Sequence, residues 1–112
     1  MNSFALELKD RSENGTPQKV ELLKIKKAAL VLRAINHKLR QQMIRIIDEK
    51  GKITVTELYN ILHLEQSVAS QHLAILRKAG FVKTTREGKF IYYAVNIERI
   101  KEVNRFVDNL LQ

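Results

Sequence analysis

This sequence predicts a mainly α fold with one small β-hairpin, on three observations. Apolar residues recur at three- and four-residue spacing over four stretches between Pro17 and Ala79, the pattern of amphipathic helices. Two β-branched and aromatic runs, Phe81-Val82-Lys83-Thr84-Thr85-Arg86 and Phe90-Ile91-Tyr92-Tyr93-Ala94-Val95, flank Glu87-Gly88-Lys89 and read as a hairpin. A last amphipathic stretch, about Ile97 to Leu111, carries Ile100, Val103, Phe106, Val107 and Leu110. A chain of 112 residues has room for one domain with a single modest core.

In chain order, residues 1–16 mix charges with Ser, Asn and Gly and are expected to form a poorly ordered arm. The domain proper is expected over 17–112. Thr16 is placed to cap a first helix running from Pro17 to about Ile35, with Pro at its first position. A second helix is expected from Lys38 to Lys50, with Leu39, Met43, Ile46 and Ile47 on one face and Gly51 beyond its end. Ile53-Thr54-Val55 is β-branched and suits a brief strand. Thr56 then opens a short third helix through Leu58, Ile61 and Leu62. The fourth, about Gln66 to Ala79, turns Ala69, Leu73 and Leu76 inward and leaves Ser67, Ser70, Gln71, Ala74 and Lys78 on the opposite face. Gly80 stops it.

Charge narrows the partners. Twenty Lys and Arg face twelve Asp and Glu, a formal net charge of +8, so the surface field attracts polyanions. The excess is localised to residues 17–51 and 65–96, whereas the stretch after Ile97 is balanced and reads as a packing or pairing helix. The chain has no cysteine, which excludes a disulfide framework, a thiolate metal site and a cysteine redox switch within it. The opening residues lack the apolar core of a signal peptide, and no apolar run is long enough to span a bilayer. The cytoplasm is the expected compartment, with no membrane partner.

A short helix, a turn, a second helix and then a hairpin is the order of a winged helix-turn-helix, five helices and a wing, whose second motif helix enters the major groove of DNA. A groove-facing helix needs short donors and acceptors and no bulky apolar groups, because base edges and phosphates are read by hydrogen bonds. Gln66, Ser67, Ser70 and Gln71 meet that need, and Gln71 has the geometry to pair with both N6 and N7 of adenine. Lys78 is placed for a phosphate. Arg86 and Lys89 flank the hairpin tip, where a cation clamps phosphate or enters a narrow minor groove. Exposed helix faces and turns are polar in most proteins; it is the order of elements that gives these residues meaning.

On these segments the chain resembles the ArsR/SmtB-type winged-helix regulators. Asn36-His37-Lys38-Leu39-Arg40-Gln41-Gln42-Met43-Ile44 is similar to that family's D-P-x-R-x-x-I-L, and Arg86-Glu87-Gly88-Lys89 through Tyr92-Tyr93 to R-E-G-R-x-x-Y-Y. The most specific segment is Gln66 to Val82, QSVASQHLAILRKAGFV, against Q-S-x-V-S-x-H-L-x-x-L-R-x-A-G-L-V. The likeness spans about residues 30–95. It implies a homodimer built from the first and last helices, with Leu23, Leu30, Ile100, Val103, Phe106, Val107 and Leu110 at the interface. It further implies binding to a two-fold double-stranded DNA operator as a repressor, with Ser67, Ser70, Gln71 and His72 at the recognition surface. The helical angle of His72 places it at the edge of the inward face, open equally to packing and to DNA.

The departures are as informative. Many relatives sense metal through a Cys-x-Cys at the start of helix three, and Thr54 and Thr56 align there; hydroxyls are poor soft-metal ligands. His37, His63 and His72 are too scattered along the expected helices to form a ligand set by spacing. No metal or cofactor is therefore expected, and the sequence names no inducer, small-molecule or other. A winged-helix module that holds another protein and binds DNA only weakly would share the same core; the polar fourth helix and basic hairpin tip argue against it. No nucleophile elbow, phosphate-binding glycine loop or metal-ligand cluster points to an enzyme.

Overall fold

The computed structural model describes residues 4–112. Strands β1 (Ala5–Leu8) and β2 (Gln18–Glu21) lead into helices α1 (Leu22–Ile35) and α2 (Lys38–Lys50). Next come strand β3 (Ile53–Thr54), helices α3 (Val55–Leu62) and α4 (Gln66–Lys78), the hairpin β4 (Val82–Glu87) and β5 (Phe90–Val95), and helix α5 (Ile97–Leu111). The five helices and the wing are those expected. No helix among the described residues is long and apolar enough to cross a membrane.

The largest difference from expectation is at the N-terminus. The segment read as an arm holds a strand: β1 pairs antiparallel with β2, Leu6 opposite Val20 and Leu8 opposite Gln18. The helix start expected at Thr16 and Pro17 moves to Leu22, with Glu21 as the N-cap. Proline before a strand is as compatible with its fixed φ as proline opening a helix, so the residue alone does not decide. Asp10 Oδ1 accepts from Ser12 N at 3.0 Å, and Gly15 N donates to Ser12 O at 3.0 Å. Asn14 takes a left-handed φ of 63°. Leu22 N donates to Phe4 O at 2.7 Å, so the hairpin satisfies one of the amides that α1 leaves open at its start. Met1 to Ser3 of the expected arm lie outside the described residues.

The core sits where α2, α3, α4 and the wing meet. Met43 and Ile47 of α2, Ile53, Leu58 of α3, Ala69, Leu73 and Leu76 of α4, and Phe81 and Val82 are buried together with Ala34 at the end of α1. Burial of one such large apolar side chain contributes roughly 1.5–3 kcal/mol. Strand β3 joins the wing in a three-stranded sheet of order β3-β5-β4, Ile53 opposite Tyr93. Gly88 supplies the positive φ of 63° that the tight turn between Glu87 and Phe90 requires.

The third helix starts earlier than expected. Thr54, not Thr56, is its N-cap: Thr54 Oγ1 accepts from Glu57 N at 3.2 Å. The same hydroxyl donates to the Glu57 carboxylate at 3.2 Å, a variant of the capping box in which Thr and Glu stand three apart. In contrast, α5 contains no buried residue, and Ile97, Phe106, Leu110 and Leu111 are exposed. The radius of gyration, 18.8 Å, exceeds the roughly 13 Å of a compact domain of this length.

Candidate nucleic-acid interface

Helix α4 is held in place on three sides. Ahead of it, His63 ends α3 in the left-handed region, at φ 54° and ψ 44°, and Leu64 N donates to Tyr59 O at 2.9 Å, which turns the chain sharply into Glu65. Along its length, Ala69, Leu73 and Leu76 are buried, while Gln66, Ser67, Ser70, Gln71 and Lys78 are exposed. The pattern of outward residues is the one the helical period predicts.

Its C-terminal end is closed by a Schellman motif. Phe81 N donates to Leu76 O at 2.9 Å and Gly80 N to Arg77 O at 3.0 Å, with Gly80 at φ 89°. The buried pair Phe81 and Leu76 supplies the apolar contact that accompanies such a cap. From the start of α5, Arg99 Nε donates to Ala79 O at 2.9 Å and Asn96 Nδ2 to Gly80 O at 3.0 Å. A cation on the last carbonyls of a helix is also favoured by its dipole. Gly80 takes a positive φ of 89° that side chains avoid, and a Cβ there would press on Arg99 Nε at 3.0 Å. Arg99 and Asn96 thus join α5 to the end of α4, a link that charge counting along α5 does not reveal.

The third support comes from Arg40, the one buried charged residue among the described residues. Its guanidinium donates from Nε to Ala34 O at 2.6 Å and from NH2 to Arg33 O at 3.1 Å, satisfying carbonyls at the end of α1. NH1 reaches His72 Nδ1 at 3.1 Å. Arginine only donates, so Nδ1 accepts and the His72 proton is on Nε2. The His37 ring lies 5.0 Å from that of His72, and its Nδ1 caps α2 by accepting from Arg40 N at 3.4 Å. Burial, then the neighbouring His37 and Arg40, hold the His72 pKa below its ordinary value.

His72 is therefore half-buried and turned to Arg40, whereas Ser67, Ser70 and Gln71 are exposed. Two of the three histidines cap helices and the third meets an arginine. Among the described residues no group of three or more His, Cys, Asp or Glu side chains converges.

At the wing, Arg86 and Lys89 are exposed on either side of Gly88. Arg86 Nε donates to Gly88 O at 3.2 Å, and Lys89 Nζ lies 5.4 Å from the centre of the Phe90 ring, so both cations are held near the tip. Lys52, just ahead of β3, pairs with Glu87 at the tip end of β4 and lies 4.8 Å from the centre of the Tyr92 ring. Of the expected interface residues, Leu23, Phe106 and Leu110 are exposed, whereas Ile100 and Val103 pack partly against their own core. Between α1 and α5 lies a groove lined by Ala28, Val31, Leu32, Val103 and Phe106. Leu30 lines a different groove, together with Ile75 of α4.

A polar helix face backed by a buried one, pinned at both ends and set beside a basic wing, defines a winged helix-turn-helix DNA-binding protein. Residues 37–84 match the family described as "Bacterial regulatory protein, arsR family". An uncharacterized HTH-type transcriptional regulator of Methanocaldococcus jannaschii is 34% identical over 87 residues, 78% of this chain and 98% of that one. The transcriptional activator HlyU of Vibrio cholerae is 32% identical over 84 residues, 75% of this chain and 77% of HlyU. Its solved structure superposes with a TM-score of 0.60 at 31% identity, covering 78% of this chain and 94% of that one. The solved structure of the transcriptional repressor PagR of Bacillus anthracis gives 0.61 at 28% identity, covering 78% and 99%. The chain belongs to the arsR family and is a DNA-binding transcriptional regulator.

Proposed function

We propose that the protein is a homodimeric repressor that reads a two-fold operator through α4 and steadies itself on the duplex through the wing. The observation that carries this reading is the exposed row Gln66, Ser67, Ser70 and Gln71 on a helix whose opposite face is buried. Gln71 is the base reader, the serines contact base edges or phosphates, and Lys78, Arg86 and Lys89 contact phosphates. His72 acts as a positioning residue, keying α4 to Arg40.

The dimer forms through α1 and α5. The exposed Leu23, Phe106 and Leu110, with Val107 beside the last two on α5, are apolar surface that a lone domain leaves in water. Val103 of α5 contributes from the groove between the two helices, and Ile100 from the adjoining turn. Release from DNA does not run through a thiolate metal site, because the chain has no cysteine, and Thr54 is occupied in capping α3.

Selection of bound sequences from random duplex DNA, followed by footprinting, tests the reading. The expected result is a two-fold site with half-sites about 10 bp apart or a multiple of that, because a symmetric dimer presents two recognition helices to one face of the duplex. Enrichment of no sequence above the starting pool would overturn it.

A further inference from the structure

A second groove runs between α1 and α4. None of Gln66, Ser67, Ser70 and Gln71 lines it, and it shares only Val31 with the groove between α1 and α5. It encloses about 500 Å³, within the roughly 300–1,000 Å³ typical of small-molecule sites. Its walls are Leu30, Val31 and Ala34 from α1, Ile75 from α4 and Ala79 just beyond it. Leu30 and Ile75 are 53% and 42% exposed, an unusual amount of apolar surface to leave open in a cleft.

Every ionisable residue lining this cleft is a cation: Lys27, Arg33, Arg40 and Lys78. Arg40 is committed to Ala34, Arg33 and His72. The side chains of Lys27, Arg33 and Lys78 are exposed and have no acidic partner among the described residues. An apolar trough with unpaired cations around it matches a molecule with an apolar body and one anionic head. It does not match a sugar, a cation or a neutral hydrocarbon, each of which would leave either the walls or the charges unused.

We propose that this groove binds an amphipathic organic anion, an alkyl carboxylate, and that its occupancy weakens operator binding. The second half rests on the reading of α4 as the recognition helix. Lys78 lines the groove and is also the phosphate contact at the end of α4, so a bound carboxylate and the DNA backbone compete for one ammonium group. Competition for a shared group makes the two affinities fall together and reciprocally. Ile75 lies on α4 within one turn of Lys78, so part of the apolar wall belongs to the reading helix itself.

Calorimetry on the free wild-type protein with sodium dodecanoate below its micellar range, and with 1-dodecanol as the uncharged match, tests the site without DNA. Dodecanoate is expected to bind saturably at one per protomer, and dodecanol at least about tenfold more weakly. The double variant Lys27→Gln/Arg33→Gln is expected to lose about tenfold in dodecanoate affinity while keeping operator affinity within about threefold. Saturating dodecanoate is expected to weaken wild-type operator binding about tenfold, read by anisotropy. Absence of saturable binding, or equal binding of the alcohol, would overturn the site. Binding with unchanged operator affinity would overturn the coupling. An Ile75→Glu protein that sediments as a monomer where the wild type is a dimer would assign the groove to a second copy and overturn the proposal. A protein that binds dodecanoate but selects no DNA sequence would count against α4 as a reader and leave the ligand site standing.

Discussion

Arg40 NH1 lies 3.1 Å from His72 Nδ1, so a buried arginine at the start of α2 holds a histidine on α4. The contact requires a neutral His72, since a protonated Nδ1 has no lone pair to accept with. Burial and the neighbouring His37 and Arg40 lower the His72 pKa below 6.5 in the folded protein. The unfolded chain then binds more protons than the folded one as the pH falls, so stability rises with pH across this range. The contribution is complete above about pH 6.5 and is lost as the pH drops through the lower, folded-state pKa. Urea midpoints for wild type and His72→Gln between about pH 7.5 and 5 check this. The wild type is expected to lose more stability on acidification, and parallel curves would contradict it.

Removing the guanidinium should be costly. Arg40→Met leaves the buried Ala34 carbonyl and the partly buried Arg33 carbonyl without this donor, and a buried group left unsatisfied costs roughly 1–3 kcal/mol. A loss of about 2–5 kcal/mol in the unfolding free energy is expected on that basis. Arg40→Lys keeps the charge without the planar fork and should recover only part of it. Equal stability of Arg40→Met and wild type would show that the three contacts contribute nothing.

The two threonines of the Thr54-Val55-Thr56 segment should separate cleanly. Thr54→Ala removes the cap of α3 and should cost about 1 kcal/mol. Thr56 is exposed, and Thr56→Ala should stay within about 0.5 kcal/mol of wild type. Chemical denaturation of both variants decides between this assignment and the expectation from sequence that Thr56 opens the helix.

That difference shows where the sequence is legible. Strict periodicity locates α2, α4 and α5 closely, because Met43 and Ile47, and Ala69, Leu73 and Leu76, mark inward faces without ambiguity. Boundaries set by local chemistry are harder. Thr54 and Glu57 stand at capping-box spacing, a readable pattern overshadowed by the β-branched run it sits in. Pro17 suits either a helix start or a strand, and the pairing of Leu6 with Val20 that decides it is not a periodic feature. The exposed face of α4, Gln66, Ser67, Ser70 and Gln71, follows from helical angle alone. Arg40, Arg99 and Asn96 do not, because their partners are carbonyls and a histidine brought close only by the tertiary fold.

Dimerisation is directly testable. Phe106 is 45% exposed on a helix with no buried residue. Covering such a side chain contributes roughly 1.5–3 kcal/mol, so Phe106→Glu is expected to split the dimer and weaken operator binding together. Equilibrium sedimentation of both proteins at micromolar concentration provides the check, and a monomeric wild type would contradict the assignment of α1 and α5 as the interface.

Base reading by α4 is tested most directly by the operator affinity of wild type, Gln71→Ala and Lys89→Ala, measured against single-base-pair variants of the selected operator over a range of salt concentrations. Gln71→Ala is expected to lose roughly 1–3 kcal/mol of discrimination at one base pair in each half-site and little elsewhere. Lys89→Ala is expected to weaken all sequences alike and to flatten the salt dependence by about one charge. A Gln71→Ala protein that discriminates among the variants as the wild type does would contradict the claim that the exposed face of α4 reads the DNA.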